Sequence, residues 1–252
     1  MQHFSPYAAL QEHAHRQADT DALVSKDAAV TYGELLERVT AFAGWLLHHG
    51  LTPGEVTGIC IPDEIGHLVC AMALLCLDTP QMSLGSHERG VTKRALARKG
   101  GVTQLVVETP EDWMEGLRTL VPPFRDPKAI AKAPGITANS VLRERSLNSI
   151  GVYQSTSGST NVPKTFGMTL ERLLMIAGRY AKDTKERRAL RTGSIEFDAH
   201  RLHRICSLLA GNTCVFARDV NFLSLGSLCE RARVSIIHMG TYKLASLSLI
   251  HI

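Results

Sequence analysis

Residues 153–167 read YQSTSGSTNVPKTFG, and this stretch carries more information than any other part of the chain. Five serines and threonines surround Gly158, and Lys164 follows four residues after Thr160. A glycine among small residues lets several backbone N–H groups turn toward one point. The hydroxyls add hydrogen-bond donors, and the lysine adds a mobile positive charge. This combination indicates a loop that binds a polyphosphate.

Most stretches rich in serine, threonine and glycine are solvated loops or linkers, so the surroundings decide between the two interpretations. Here a strand is predicted before the stretch, over 149–154, and a helix after it, from Leu170. A position between a strand and a helix is the context in which a phosphate loop is expected. The order of residues differs from the Walker-type loop, which requires G-x-x-x-x-G-K-[ST].

The stretch resembles the phosphate loop of the AMP-forming adenylating enzymes, a superfamily of acyl-CoA synthetases, peptide-synthetase adenylation domains and luciferases. The similarity runs from Ser155 through Lys164, with Pro163 in its place. Two positions depart from the family's usual pattern, because Asn161 and Thr165 stand where glycine is common. Asparagine adopts left-handed backbone more readily than other non-glycine residues, so the turn at Asn161 can survive.

Weaker similarities extend over nearly the whole chain. Residues 31–35 (TYGEL), 50–56 (GLTPGEV), 208–215 (LLAGNTCV) and 234–239 (VSIIHM) follow the order of the family's segments. The family's adenine-binding segment, its ribose-binding T-G-D aspartate and its small C-terminal domain with a catalytic lysine do not occur in these 252 residues. The resemblance therefore implies the N-terminal portion of the family's large domain, with the C-terminal part absent.

The alternation of strands and helices predicts an α/β fold with mostly parallel sheets and helices on both faces. Helices are predicted at 4–17, from a capping box at 31–34 to Gly50, and at 65–77, 87–99, 111–120, 170–183, 199–210, 221–232 and 241–250. Strands are predicted at 23–24, 29–31, 56–61, 104–108, 149–154, 166–169, 192–197, 213–217 and 234–238, with those at 56–61, 149–154 and 234–238 buried. We divide the chain into a first α/β lobe, residues 1–147, and a second α/β lobe, residues 148–252, which carries the loop.

The resemblance implies an ATP-dependent, AMP-forming carboxylate ligase. A carboxylic acid would react with ATP to give an acyl-adenylate, and a thiol of CoA or of a carrier protein's phosphopantetheine would then accept the acyl group. ATP and Mg²⁺ are the implied cofactors, and the residues implied to hold the β- and γ-phosphates are Thr156, Ser157, Gly158, Ser159, Thr160 and Lys164. No catalytic residue is assigned, and this chain alone is expected not to complete the reaction. The alternative is a non-catalytic, truncated or degenerate relative that serves as a binding or assembly partner.

The family's acyl pocket is partly lined by the region around residue 200, so the resemblance implies Phe197, Asp198 and His200 as substrate contacts. His200 and His203 also have the i, i+3 spacing of a pair of metal ligands. No third ligand is evident near them in the sequence, and we predict no metal centre. The basic residues within 182–191 are interrupted by carboxylates, which favours a solvated helix end over a nucleic-acid surface.

The bulk composition predicts a globular, cytoplasmic protein. The chain is 44% hydrophobic and carries a mild net charge of +4. Its six cysteines form no C-x-x-C pair and mostly sit in apolar runs, which is typical of buried, reduced thiols. The first thirty residues contain no apolar segment of a signal peptide, and the longest apolar run, 68–77, is too short to span a bilayer. The apolar run 244–250 predicts packing on the body or self-association.

Overall fold

The structure is a computed structural model that describes residues 3–123, 129–130, 145–156, 164–183, 187–218 and 220–240. The α-helices within these ranges are α1 (Pro6–Arg16), α2 (Tyr32–His48), α3 (Glu64–Cys76), α4 (Gly90–Gly100), α5 (Leu170–Lys182), α6 (Asp198–Leu209) and α7 (Phe222–Arg231). The strands are β1 (His3–Phe4), β2 (Asp21–Val24), β3 (Ala29–Thr31), β4 (Thr57–Cys60), β5 (Gln81–Ser83), β6 (Gln104–Val107), β7 (Arg118–Leu120), β8 (Arg145–Ser146), β9 (Ile150–Thr156), β10 (Lys164–Thr169), β11 (Arg188–Arg191), β12 (Thr213–Phe216) and β13 (Ile236–His238).

One sheet has six strands in the order β10-β9-β5-β4-β6-β7. Its neighbouring strands are parallel, except that β9 and β10 form an antiparallel hairpin at one edge. Successive side chains of β6 point to opposite faces, as the pleat requires. Val106 belongs to the main hydrophobic core, whereas Leu105 and Val107 belong to a second core that includes Leu96 of α4. Helices therefore cover both faces of this sheet.

A second sheet has five strands in the order β13-β11-β12-β2-β3, and only β2 and β3 pair in the antiparallel sense. Leu23 and Cys214 face the main core, whereas Val24 and Val215 pack with Leu225 of α7 in a third core. This sheet is thus also covered on both faces. The predicted fold class, α/β with mostly parallel sheets and helices on both faces, is confirmed.

Both sheets combine strands from either side of residue 148. The hairpin β9–β10 joins β5 in the six-stranded sheet, and β2 joins β12 in the five-stranded sheet. The short strands β1 and β8 pair as well, with His3 opposite Ser146. A division of the chain between residues 147 and 148 does not coincide with the division between the sheets, and the two lobes stay a prediction.

Helix α3 is buried along nearly its whole length, from His67 to Cys76. It starts after Asp63, whose carboxylate accepts a hydrogen bond of 2.6 Å from the backbone N–H of Gly66. Its sequence is apolar on all sides, as is typical of an interior helix. It packs against α1, α2 and α6 and against strands β4 and β5. Helix α3 therefore connects the six-stranded sheet to α6.

The prediction of a strand at 192–197 is wrong. The strand is β11, which ends at Arg191, and residues 192–197 form the turn that leads into α6. The strand was not predicted because a charged residue stands at each of its ends. The fold accommodates both, since Arg188 forms an ion pair with Asp21 at 2.8 Å and Arg191 is buried. Ile195 is buried in the core without belonging to a strand, which explains the misleading apolar pattern.

Three other elements differ from the predictions. Residues 111–120 contain a 3₁₀ turn, Asp112–Met114, followed by β7 instead of a helix. Strand β5 was not predicted, because its Gln81 is a polar residue that the fold buries by donating to the carbonyl of Ala71 at 2.7 Å. The prediction of a buried strand at 234–238 is wrong in part, because β13 is an edge strand and Ile237 is 44% exposed.

Two sequence predictions concern the C-terminal residues. The helix predicted at 241–250, and with it the apolar run 244–250, lies outside the described residues. Self-association through this run stays a prediction. Within the described ranges, we find no helix that combines the length and the apolar character needed to cross a membrane.

Candidate functional site

The hairpin β9–β10 brings the two ends of the predicted phosphate loop together. Thr156 is the last residue of β9, Lys164 is the first residue of β10, and the two are directly paired. Because β9 runs parallel to β5, this end of the hairpin lies at the carboxyl edge of the six-stranded sheet. Open α/β sheets bind their ligands at that edge. Lys164 is exposed there.

The remaining predicted phosphate-binding residues join these two ends. Ser157, Gly158, Ser159 and Thr160 lie outside the described residues, and Thr156 is described by its backbone alone. The structure therefore places Thr156 and Lys164 of the predicted set, side by side. Their roles toward phosphate stay a prediction.

A cavity of about 250 Å³ lies at the same edge, beside Ser155. It is lined by Ser83, Gly85, His87, Glu88, Thr92, Leu96, Ser155, Glu196, Phe197 and Asp198. Two of the three predicted substrate contacts, Phe197 and Asp198, thus line a cavity next to the start of the loop. Phe197 is 52% exposed and offers an aromatic surface.

Asp198 is already engaged by protein groups. Its Oδ2 atom accepts hydrogen bonds from the backbone N–H of Ser155 at 2.6 Å and from the Ser155 hydroxyl at 2.9 Å. Its Oδ1 atom accepts from Nη2 of Arg201 at 2.8 Å, and the same Nη2 donates to the carbonyl of Tyr153 at 2.8 Å. The first turn of α6 is therefore bonded to the last residues of β9.

Glu196, which also lines the cavity, makes corresponding connections. Its carboxylate, which is fully buried, accepts from the backbone N–H and the hydroxyl of Ser86 at 2.6 and 3.0 Å. Nη1 of Arg218 lies 3.4 Å from Oε2 of Glu196. Ser86 follows β5 and Arg218 follows β12, so Glu196 connects the carboxyl ends of strands from both sheets.

His87 stands at the cavity between two carboxylates. Its Nδ1 lies 3.8 Å from Oε2 of Glu196, and its Nε2 lies 3.6 Å from Oε1 of Glu88. The imidazole and the ring of Phe197 have centroids 4.9 Å apart. A Cβ atom on Gly85 would lie 2.4 Å from the His87 ring, so a larger residue at position 85 would displace the imidazole.

The third predicted substrate contact, His200, does not line this cavity. Its ring lies under Gly193, where an added Cβ would be 1.9 Å from Nε2 of His200. Partial burial, aided by Arg204 and Arg191, lowers the pKa of His200. Burial together with Arg191 lowers the pKa of His203 to about 4. Among the described residues, no three histidine, cysteine, aspartate or glutamate side chains form a metal-binding group.

Behind the site, α3 and α6 carry the buried guanidinium groups of Arg201 and Arg204 and the buried imidazole of His67. Arg204 donates through Nη2 to the carbonyls of Arg191 and Gly193, each at 3.0 Å, and lies 3.6 Å from Glu64. His67 bonds the carbonyl of Ile61 through Nδ1 at 3.0 Å. Its burial, with Arg201 and Arg204 nearby, lowers the pKa of His67 to about 3. The imidazole is therefore neutral at neutral pH.

Sequence reasoning placed Ser155 at the start of the phosphate loop, but it missed Ser86, His87, Glu196 and Arg201 as members of this region. Ser86 and His87 follow β5, which had no apolar signature, and Glu196 lay within a wrongly predicted strand. The available signal was the position of these polar residues at the carboxyl ends of strands. That signal becomes useful only when the strands are correctly assigned.

Comparisons with known proteins identify the family and agree with the fold. The family model described as "AMP-binding enzyme" matches residues 10–242. Pyochelin synthetase PchE of Pseudomonas aeruginosa is 28% identical over 204 residues, which cover 78% of this chain and 13% of that protein.

Among solved structures, o-succinylbenzoate CoA synthetase (MenE) of Bacillus subtilis in complex with the acyl-adenylate intermediate OSB-AMP has a TM-score of 0.84 at 18% identity. The match covers 98% of this chain and 64% of that one. The same enzyme in complex with ATP and magnesium ion has a TM-score of 0.80 at 18% identity, covering 95% of this chain and 65% of that one. This chain thus spans only part of the length of each of these proteins.

Proposed function

Because this chain belongs to the AMP-binding enzyme family, we propose that it is the N-terminal portion of an ATP-dependent, AMP-forming ligase that converts a carboxylic acid to an acyl-adenylate and then to a thioester. The observation that carries the proposal is the pairing of Thr156 with Lys164 at the carboxyl edge of a parallel sheet. In this proposal, the ammonium group of Lys164 would lie close to phosphates bound between Thr156 and Lys164. Helping the pyrophosphate to leave requires such positioned charge.

The residues at this edge have distinct tasks in the proposed reaction. A carboxylate oxygen of the substrate attacks the α-phosphorus of ATP, and the bond to pyrophosphate breaks. Lys164 and the loop hydroxyls would bind the β- and γ-phosphates and stabilise the negative charge that develops on them as pyrophosphate leaves. The cavity lined by Phe197 would receive the acyl or aryl group beside the loop.

Mg²⁺ would enter this site bound to the phosphate oxygens of the nucleotide. Mg²⁺ usually keeps several waters and binds phosphate oxygens with one or two carboxylates, so a dedicated cluster of protein ligands is not required. The described residues contain no such cluster. The acceptor thiol would belong to CoA or to the phosphopantetheine of a carrier protein, which is in keeping with the synthetases among the relatives.

The cysteines support a cytoplasmic location for this function. All six are free thiols, and Cys60, Cys70, Cys76, Cys206 and Cys214 are buried. Burial raises the pKa of Cys60 to about 11. Free, unreactive thiols are typical of a reducing compartment.

Replacing Lys164 with alanine is expected to weaken ATP and pyrophosphate binding about tenfold to a hundredfold, because a charge-assisted hydrogen bond contributes about 1.5–3 kcal/mol. Isothermal titration of the wild type and the variant with each ligand measures the effect. Lys182→Ala, at the exposed end of α5, is the matched control and should bind as the wild type does. Equal affinity of Lys164→Ala and wild type would contradict a phosphate role for Lys164. A wild type that binds neither ligand would favour the alternative, a non-catalytic relative.

This chain alone is expected to show no carboxylate-dependent exchange between ATP and pyrophosphate. The physical reason is that the family's ribose-binding aspartate and C-terminal lysine are not among these 252 residues, so the α-phosphate is not held for attack. A radiolabelled exchange assay with a panel of aliphatic, aryl and amino acids tests this. Exchange above background with any of these acids would disprove the expectation.

A further inference from the structure

A second cavity, of about 450 Å³, lies at the amino edge of the five-stranded sheet, where its parallel strands begin. Arg188, the first residue of β11, and Thr213, the first residue of β12, both line it. We call this space the amino-edge cavity. Its titratable lining residues are His13, Arg16, Arg187 and Arg188. Nothing in the candidate site described above makes use of it.

The charge of its lining distinguishes the amino-edge cavity from the cavity beside Ser155. The cavity beside Ser155 has three carboxylates among its described lining residues, Glu88, Glu196 and Asp198, and no arginine or lysine. The described lining of the amino-edge cavity has three arginines and neither aspartate nor glutamate. Guanidinium groups bind the oxygens of phosphates and carboxylates with paired N–H donors. The amino-edge cavity is therefore suited to an anion.

The fold brings these arginines together from distant parts of the chain. Arg16 is the last residue of α1, whereas Arg187 directly precedes β11 and Arg188 begins it. In the sequence, the basic residues within 182–191 were interpreted as a solvated helix end. Helix α5 ends at Lys182, and Arg187 and Arg188 lie beyond it, at the cavity. Their charge is thus concentrated in a concave site.

The turn between α6 and β12 forms one wall, and its carbonyl groups are engaged by side chains of α1 and its C-cap. His13 donates through Nε2 to the carbonyl of Leu209 at 3.0 Å, and Gln17 donates through Nε2 to the carbonyl of Gly211 at 3.0 Å. Carbonyl oxygens are acceptors that repel an anion unless a donor neutralises them. An added Cβ on Gly211 would lie 2.8 Å from the His13 ring, and the φ angle of Gly211 is +80°, so this close wall requires glycine.

Two of the arginines have carboxylate partners of unequal strength. Arg188 is 2.8 Å from Asp21 and also donates to the hydroxyl of Thr213 at 3.3 Å, so its guanidinium is held in place. Arg16 lies 3.3 Å from Glu12 within α1, and both side chains are exposed. An exposed pair of this kind contributes little to stability, so Arg16 can exchange Glu12 for a ligand at small cost.

We propose that the amino-edge cavity binds a phosphate group, either as free phosphate or as part of a small phosphomonoester, through Arg16, Arg187 and Arg188. Its volume is in the range of small-molecule sites, which leaves space for an organic group attached to the phosphate. This site is separate from the edge at which Lys164 lies. The inference therefore does not depend on the proposed function.

The test is a titration of the isotope-labelled chain with inorganic phosphate at constant ionic strength, followed by the backbone amide resonances of Gly211 and Thr213. Arg16→Ala and Arg187→Ala are each expected to weaken binding about fivefold, as for an ion pair at an exposed site. Glu12→Gln is expected to strengthen binding about twofold, because it removes the carboxylate that competes for Arg16. Opposite effects of Arg16→Ala and Glu12→Gln identify direct binding, since both variants break the same ion pair.

The matched control is Arg98→Ala, which removes an exposed arginine from α4 beside the six-stranded sheet. Its phosphate affinity should equal that of the wild type, and a loss equal to that of Arg16→Ala would overturn the inference by indicating unspecific attraction. Unchanged amide resonances in the wild type would overturn it as well. So would a change of affinity in the same direction for Arg16→Ala and Glu12→Gln.

Two further comparisons identify the ligand and separate this site from the proposed function. Tighter binding of glycerol phosphate than of inorganic phosphate would support the site and indicate a phosphomonoester, whereas equal affinity would support it and indicate free phosphate. Loss of the Gly211 and Thr213 responses in Lys164→Ala would assign them to the other edge and overturn the inference. A finding that Lys164 has no role in ATP binding would contradict the proposed function and leave the amino-edge site supported by its own variants.

Discussion

Replacing Arg201 with alanine is expected to lower the free energy of unfolding by about 3–5 kcal/mol, the usual cost of removing one partner of a buried ion pair. Arg201 is fully buried, and its partner Asp198 is nearly so. The variant would leave the Asp198 carboxylate without its cation and the carbonyl of Tyr153 without its donor. Since small domains are stable by only about 5–15 kcal/mol, this is a large fraction of the total.

Urea unfolding of the wild type and of Arg201→Ala measures this loss. The free energies of unfolding are compared with the same dependence on urea concentration for both proteins. Arg179→Ala, on the exposed surface of α5, should stay within about 0.5 kcal/mol of the wild type. The double variant Arg201→Ala with Asp198→Ala should cost less than the sum of the two single changes, because it also removes the stranded charge. Simple additivity would show that the two side chains do not act as a pair.

Lowering the pH from about 7.5 to about 5 is expected to reduce the free energy of unfolding by about 2 kcal/mol through His67 alone. Burial lowers the pKa of His67 from 6.5 to about 3 in the folded protein. The unfolded chain therefore takes up a proton below pH 6.5 while the folded protein does not. The stabilisation is fully present above the unfolded pKa and falls by about 1.4 kcal/mol per pH unit between these two values.

His67→Asn isolates this contribution. The asparagine amide can donate to the carbonyl of Ile61 as Nδ1 does, but it does not titrate. Urea unfolding at both pH values should show a pH dependence about 2 kcal/mol smaller in the variant than in the wild type. His203, whose pKa is also lowered, titrates in both proteins and cancels in this difference. An identical pH dependence in the two proteins would mean that His67 has the same pKa in the folded protein as in the unfolded chain, and would contradict this prediction.

The sequence correctly predicted the elements whose formation depends on residues close together in the chain. The capping box predicted at 31–34 is present, with Thr31 Oγ1 accepting from the N–H of Glu34 at 3.2 Å and Glu34 accepting from the N–H of Thr31 at 3.0 Å. Helix α3 and strands β4 and β6 followed from continuous apolar runs. Such signals are local, and they were sufficient for the fold class.

The candidate site was only partly predictable, because its contacts join distant residues. Asp198 meets Ser155 across 43 residues, and Glu196 meets Ser86 across 110 residues. No periodicity in a single sequence reports such pairs. Family resemblance pointed to Phe197 and Asp198, which line the cavity beside Ser155, and their role toward substrate stays a prediction. It did not reveal that Asp198 is occupied by Ser155 and Arg201.

The pairing of β2 with β12 has a consequence for how the chain folds during synthesis. Leu23 aligns with Cys214, and His13 in α1 bonds the carbonyl of Leu209, 196 residues further along. Strand β2 must therefore wait until β12 has been synthesised before their sheet can close. Contacts of such high sequence separation slow folding and leave apolar strands open to misassociation in the meantime. We expect nascent chains that end before β12 to depend on chaperones to keep β2 and β3 from aggregating.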